Sequence, residues 1–226
     1  MSPLSRLAAA ALAIAALPVL PACSDSAEAG AAAPAASPRD AAAWTIGPII
    51  RGRNYSQGVG LHPTPRRGGG WHIDLPRAPG SVHYVTFRHG SLAGKRRIRM
   101  HYRVEMAPGV RIAPITAPAA QSIITLYFQR AGDTWSGKRG FEAHRWYATF
   151  ASQRPITAGE HVMIAPLDGL WSAVQTSTAR SNPAAFRAAI AEADQVGFVL
   201  GGGDGYGHGV FATGPARIVV TRFSVE

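Results

Sequence analysis

Arg97, Arg99, His101 and Arg103 stand at every second position of the run from Arg97 to Met106, interleaved with Ile98, Met100, Tyr102 and Val104. Alternation with a period of two predicts a β-strand. Successive side chains of a strand point to opposite faces, so one face is a continuous apolar row and the other a row of cationic groups spaced roughly 7 Å apart. A guanidinium presents a planar fork of N–H donors that takes a carboxylate or sulfate through two hydrogen bonds. The chemistry this row offers is recognition of an anion.

Two further runs have the same logic. Ser122 to Arg130 places Ile124, Leu126 and Phe128 on one face and Thr125, Tyr127 and Gln129 on the other. Arg145 to Phe150 places Trp146, Ala148 and Phe150 against Arg145, Tyr147 and Thr149. A tyrosine ring offers an apolar surface to a sugar face and a hydroxyl to its edge. If the three strands are neighbours, Arg97, Arg99, His101, Arg103, Tyr127, Gln129, Arg145 and Tyr147 form one binding face for an anionic or hydroxyl-rich glycan. The competing reading is a solvated outer sheet whose charges pair with acids of adjoining strands.

The segment Gly201-Gly202-Gly203-Asp204-Gly205-Tyr206-Gly207-His208-Gly209 does not open a helix after a parallel-strand unit, which argues against a dinucleotide site. Its glycines suit a tight loop with positive φ angles, from which Asp204, Tyr206 and His208 could project into a ligand site. The eight histidines are scattered with none at ligand spacing, so no transition metal is expected. A glycosidase needs two carboxylates facing each other across the scissile bond; Asp133, Glu142 and Asp168 are loop-like residues without that arrangement. No catalytic residue and no cofactor are assigned, and a structural calcium remains open.

The elements that must position these residues are short and mostly extended. Trp44 to Ile50, Trp71 to Leu75, Ser81 to Arg88, His161 to Leu167, Gln195 to Leu200 and Ala216 to Val225 read as further strands, separated by Gly/Pro-rich turns. One helix is predicted, with Ser181 or Asn182 as cap, Pro183 at the first helical position, and an apolar stripe of Phe186, Ala189, Ile190 and Ala193. Gly132 to Gly137 has the composition of an exposed loop with Trp135 at its tip. The fold class expected is all-β, a jelly-roll β-sandwich with one short helix.

Of 226 residues with a formal net charge of +10, the first part stands apart. Arg6 precedes an apolar run from Leu7 to Leu17 that has signal-peptide length and is too short to span a bilayer. The single cysteine of the chain, Cys23, follows in Leu20-Pro21-Ala22-Cys23. This resembles the lipobox of bacterial lipoproteins, with Pro21 an unusual residue at its position. The resemblance implies lipidation at Cys23, an anchor in the cell envelope and, with Ser24 following, the outer membrane facing the periplasm; cleavage further on would instead give a soluble periplasmic or secreted protein. Residues 1–22 are thus expected to be a signal peptide, 23–42 a disordered Ala/Pro/Ser tether, and 43–226 the β-sandwich domain. Without cysteine in that domain, disulfides and thiolate chemistry are excluded from it.

Between Arg51 and Arg111 twelve Arg or Lys face two acids, Asp74 and Glu105. Such an excess calls for an anionic partner. Export argues against nucleic acid and leaves envelope glycans and a membrane reached through the lipid anchor.

The final strand, arriving after a Gly-rich loop, is similar to that of the galactose-binding-like jelly rolls used as carbohydrate-binding modules. The resemblance implies a glycan site on the concave sheet or in the loops at one end. A second resemblance, to polysaccharide lyases on β-sandwich scaffolds, would give His101, Gln129, Arg145 and Tyr147 the tasks of neutralising a uronate carboxylate and moving a proton. A third reading is a non-enzymatic envelope structural or assembly lipoprotein.

Overall fold

Strands form where apolar residues recur at every second position, and they end where glycine or proline interrupts the pattern. The computed structural model describes residues 37–175, 177–202 and 206–226. The expectations for the export segment and Cys23 lie outside the described residues, as does Asp204. In chain order the strands are β1 (Trp44–Gly47), β2 (Ile49–Ile50), β3 (Arg53–Asn54), β4 (Thr64–Pro65), β5 (Trp71–Asp74), β6 (Tyr84–Arg88) and β7 (Arg97–Met106). They continue as β8 (Ile112–Pro114), β9 (Ser122–Arg130), β10 (Arg145–Tyr147), β11 (Arg154–Pro155), β12 (Gly159–Pro166) and β13 (Ser172–Ala173). The last are β14 (Ala193–Gly202), β15 (Val210–Ala212) and β16 (Ala216–Val225). Helix α1 (Thr149–Ser152) is a single turn and α2 (Pro183–Ala191) is the one longer helix among the described residues.

The strands make an antiparallel β-sandwich. One sheet has seven strands in the order β1-β6-β14-β9-β10-β13, with β11 pairing β9 beside β10. The other has five in the order β12-β7-β16-β5-β4. Every pairing is antiparallel, which lets each sheet keep one face in the core and turn the other outward. β7 shows this directly: Ile98, Met100 and Tyr102 are wholly buried, and the residues between them are at least partly accessible.

Aromatic side chains join the sheets. Trp44 of β1 packs on Trp71 of β5 at 4.8 Å and edge-on to Phe223 of β16 at 4.9 Å, while Trp71 stacks on Phe198 of β14 at 6.2 Å. The two indole N–H groups both donate to the Pro38 carbonyl oxygen, at 2.9 and 3.3 Å. The fold therefore takes in Pro38 to Ala42, residues that composition alone placed in the tether; Ala41 is buried.

A second aromatic group lies under α2, where Phe186 meets Trp146 at 4.9 Å and Phe128 at 5.9 Å. Pro183 opens the helix as expected. Asn182 occupies the capping position without a side-chain cap bond, and the Ser181 hydroxyl accepts from the Thr178 N–H in the preceding turn instead. Several strand assignments shorten: the Ser81 strand begins only at Tyr84 and the Trp71 strand ends at Asp74. Pro48 divides the first strand into β1 and β2 because it has no N–H to give to a ladder. The chain leaves extended geometry after Tyr147 and enters α1, leaving Phe150 64% exposed.

Candidate functional site

Four of the residues expected at the site meet on the outer face of the seven-stranded sheet. β9 and β10 are hydrogen-bonded neighbours, with Tyr127 opposite Tyr147 and Gln129 opposite Arg145. Alternation sends Leu126, Phe128 and Trp146 into the core and leaves these four on the other side. Across β14, Gly197 lies between Tyr127 of β9 and Thr86 of β6. With no side chain intervening, the Tyr127 hydroxyl reaches the Thr86 hydroxyl at 2.8 Å. The same face of β6 supplies Tyr84, whose hydroxyl is 2.8 Å from that of Tyr147.

These rings form a second apolar cluster, separate from the sandwich core, with Trp135, Val174 and Tyr206 packed against it. Tyr84 is edge-on to Tyr127 at 5.1 Å and to Trp135 at 4.9 Å; Tyr206 stacks on Tyr147 at 4.9 Å. Burial disfavours the phenolate, so the Tyr84 hydroxyl is pushed up to about 12 and those of Tyr127 and Tyr147 rise well above their ordinary value. All three stay neutral hydrogen-bonding groups at physiological pH.

The loop between β9 and β10 folds back over this floor instead of standing out in solvent. Asp133 Oδ1 accepts the Trp135 N–H at 3.0 Å, closing a side-chain turn, and Trp135 adopts a left-handed φ of 66°. The Asp133 carboxylate has no solvent-accessible area; its Oδ2 accepts from Gln129 Nε2 at 2.9 Å and lies 2.9 Å from Arg145 Nε. That Nε–H is not aligned for a hydrogen bond to the oxygen, so the contact is one of charge. Arg145 also lies over the Trp135 ring, its guanidinium carbon 4.9 Å from the centroid. Burial pushes the Asp133 carboxyl above the usual carboxylate range, and the Arg145 charge and the Trp135 N–H pull it back part of the way.

His83 stands at another wall. Its Nδ1 faces the Gly207 carbonyl oxygen at 3.0 Å and its Nε2 faces the Ser81 hydroxyl at 2.9 Å. A carbonyl oxygen can only accept, so Nδ1 carries the proton and Nε2 accepts from serine. Burial lowers the pKa of this imidazole, and the nearby His208 lowers it further. The glycine segment is explained by contact: a Cβ on Gly207 would lie 2.2 Å from the Tyr84 ring and one on Gly209 would lie 2.6 Å from the His83 ring, at φ angles of +72° and +89°. Only glycine lets that loop close against the tyrosine and histidine.

Together these elements line a concavity of about 1290 Å³. Tyr84, Tyr147, Tyr206 and Trp135 supply rings, and Gln121 and Gln153 supply amides. Among the described lining residues Arg145 is the one permanently charged side chain, and His208 is also on the wall. A smaller hollow of about 350 Å³, bounded by Thr45, Arg88 and Gln195, shares Trp135 and Pro48 with it. Trp135 thus stands between the two.

Arg97, Arg99, His101 and Arg103 are not part of this surface. β7 belongs to the five-stranded sheet, so its basic row faces outward on the opposite side of the sandwich from Tyr127, Gln129, Arg145 and Tyr147. Much of that row is paired with acids: Arg97 with Glu226 at 2.6 Å, and Arg103 with Glu105 and Glu160. Tyr84, Trp135, Asp133 and His83 were not singled out as site residues by sequence reasoning. The Tyr84 position carries a usable signal, an aromatic on the outward phase of an alternating strand. The buried Asp133 carboxylate carries none, because composition marks its loop as exposed.

Among the described residues no group of three His, Cys, Asp or Glu is placed to hold a metal ion, and no helix is long and apolar enough to cross a membrane. No protein-family model matches the chain, and no curated protein matches it in sequence.

Proposed function

We propose that the chain is an exported carbohydrate-binding protein whose site is the aromatic concavity on the seven-stranded sheet. The observation that carries this reading is the composition of that concavity. Its floor and walls combine tyrosine and tryptophan rings with hydroxyl and amide groups, a set that stacks on the apolar face of a sugar and hydrogen-bonds its rim. The Arg145 charge is already met by the buried Asp133. The hollow therefore suits a neutral, hydroxyl-rich glycan better than a polyanion.

A lyase reaction is not favoured. The two ring nitrogens of His83 are engaged by Ser81 and Gly207, and the tyrosine hydroxyls are held far from ionisation, so neither supplies a ready base.

The test is retention of the full chain on immobilised neutral and uronate-containing polysaccharides, with ultraviolet absorbance followed in parallel. The expected result is sugar-specific retention on a neutral polymer, unchanged by moderate salt, lost in Tyr206→Ala and without new absorbance. New absorbance on a uronate polymer would make the protein a lyase, and no retention on any polymer would remove the glycan reading.

A further inference from the structure

Acids and bases on the outer face of the five-stranded sheet are matched except in one place. Arg97 pairs with Glu226, Arg103 with Glu105 and Glu160, and Arg217 with Asp74 at 3.0 Å. Between these pairs lie Arg99, His101 and Arg222. His101 and Arg222 are directly opposed across β7 and β16, and Arg99 is two residues from His101 on the same face. Among the described residues no carboxylate lies within ion-pair distance of Arg99 or Arg222.

Two polar atoms of this group, Arg99 Nε and His101 Nε2, are shielded from solvent and have no hydrogen-bond partner. Such atoms are costly to leave unmatched. The imidazole pKa is lowered by burial and by the Arg99 and Arg222 charges, with only Glu226 acting the other way. An anion placed over Arg99 and Arg222 would relieve the repulsion among these groups.

The neighbouring strand states what kind of anion. On the edge strand β12, Val162 stands opposite His101 and Ile164 opposite Arg99. These aliphatic side chains are 48% and 39% exposed. Cationic groups flanked by exposed aliphatics fit an interface that is anionic at its surface and apolar just beneath. The face is also on the side of the sandwich away from the aromatic concavity.

We propose that this face docks on an anionic phospholipid surface, with Arg99, His101 and Arg222 receiving headgroup phosphates and Val162 and Ile164 entering the headgroup layer. Docked this way, the domain turns its concavity away from the bilayer.

The experiment uses the full chain carrying Cys23→Ala, so that no acyl chain is attached, with vesicles of phosphatidylcholine alone or mixed with phosphatidylglycerol. Co-sedimentation is expected on the phosphatidylglycerol vesicles and not on phosphatidylcholine alone. Arg99→Ala with Arg222→Ala is expected to weaken it roughly thirtyfold, about a factor of five for each basic side chain at an anionic surface. Arg99→Lys with Arg222→Lys should retain most of the affinity, since it keeps the charge. Arg180→Ala with Arg187→Ala removes equal charge at exposed positions elsewhere and should leave binding unchanged. An equal loss in that control would reduce the effect to diffuse net charge and overturn the proposal. So would equal binding to both kinds of vesicle. Saturation of the His101 imidazole resonance by inorganic phosphate, with no preference for vesicles, would show a site for a soluble anion and overturn the lipid surface. Glycan retention is scored separately, so failure of either reading is visible without the other.

Discussion

Arg145 Nε lies 2.9 Å from Asp133 Oδ2, and the carboxylate is wholly withdrawn from solvent. This pair ties the β9–β10 loop to the outer face of the seven-stranded sheet and holds Trp135 between two hollows. Removing one member leaves the other buried and uncompensated, so Asp133→Ala is expected to cost about 3–5 kcal/mol. Asp133→Asn should cost less, since it keeps the acceptor for the Trp135 N–H. Urea unfolding of the two variants checks this, and a cost near zero for Asp133→Ala would show that the pair does not hold the loop.

The Tyr84 and Tyr147 hydroxyls satisfy each other at 2.8 Å among apolar rings. Tyr84→Phe alone strands the Tyr147 hydroxyl and is expected to destabilise by about 1–3 kcal/mol. Tyr84→Phe with Tyr147→Phe removes both polar groups and should lie closer to wild type than the sum of the single variants. A double-mutant cycle reads the difference, and strict additivity would mean that the hydroxyls do not depend on each other.

Gly207→Ala is expected to destabilise by about 2 kcal/mol or more. The new methyl would press on the Tyr84 ring, and the backbone would have to hold a left-handed φ with a side chain. Thermal unfolding measures the loss, and Tyr84 fluorescence or ring NMR signals should change with it. Gly68→Ala, also at positive φ but with open space around its Cβ, separates the steric part from the backbone part.

Stability should fall as pH drops below the ordinary histidine range. His83, His101 and His144 all have folded-state pKa values lowered chiefly by burial, so the unfolded chain binds protons more readily. Their contribution is fully present above the unfolded value of about 6.5 and is lost as pH falls through the folded values. Asp133 acts in the opposite sense at lower pH, because its raised pKa makes the folded state the better proton binder there. Unfolding free energy followed from pH 7.5 to 5 should decline, and His83→Gln should flatten the decline; a flat wild-type profile would contradict the assignment.

The sequence by itself determined the longer β-strands, the inward faces of several of them and the helix, while the short strands β3, β4, β8, β11, β13 and β15 carry too few residues for a period to show. A period-two pattern states which side chains share a face, so β7 and β9 were legible nearly to the residue, as was the Pro183 start of α2. The bounds of β16 were legible as well, but not its faces, because a bulge between Val220 and Arg222 breaks the alternation and puts Phe223 in the core with Ile218 and Val220 while Thr221 is exposed. The sequence also identified Tyr127, Gln129, Arg145 and Tyr147 as one outward-facing chemistry, and β9 and β10 are indeed neighbours. Which sheet each strand joins was a different matter. Alternation looks the same in both sheets of a sandwich, and long-range pairing is decided by turn geometry and by how the aromatic side chains fill the space between the sheets. Only the tertiary structure therefore placed the β7 basic row on the far side from the tyrosines. Only it drew Asp133 and Trp135 out of a loop of exposed composition, because a carboxylate is buried where a guanidinium is already waiting, and Arg145 comes from the following strand.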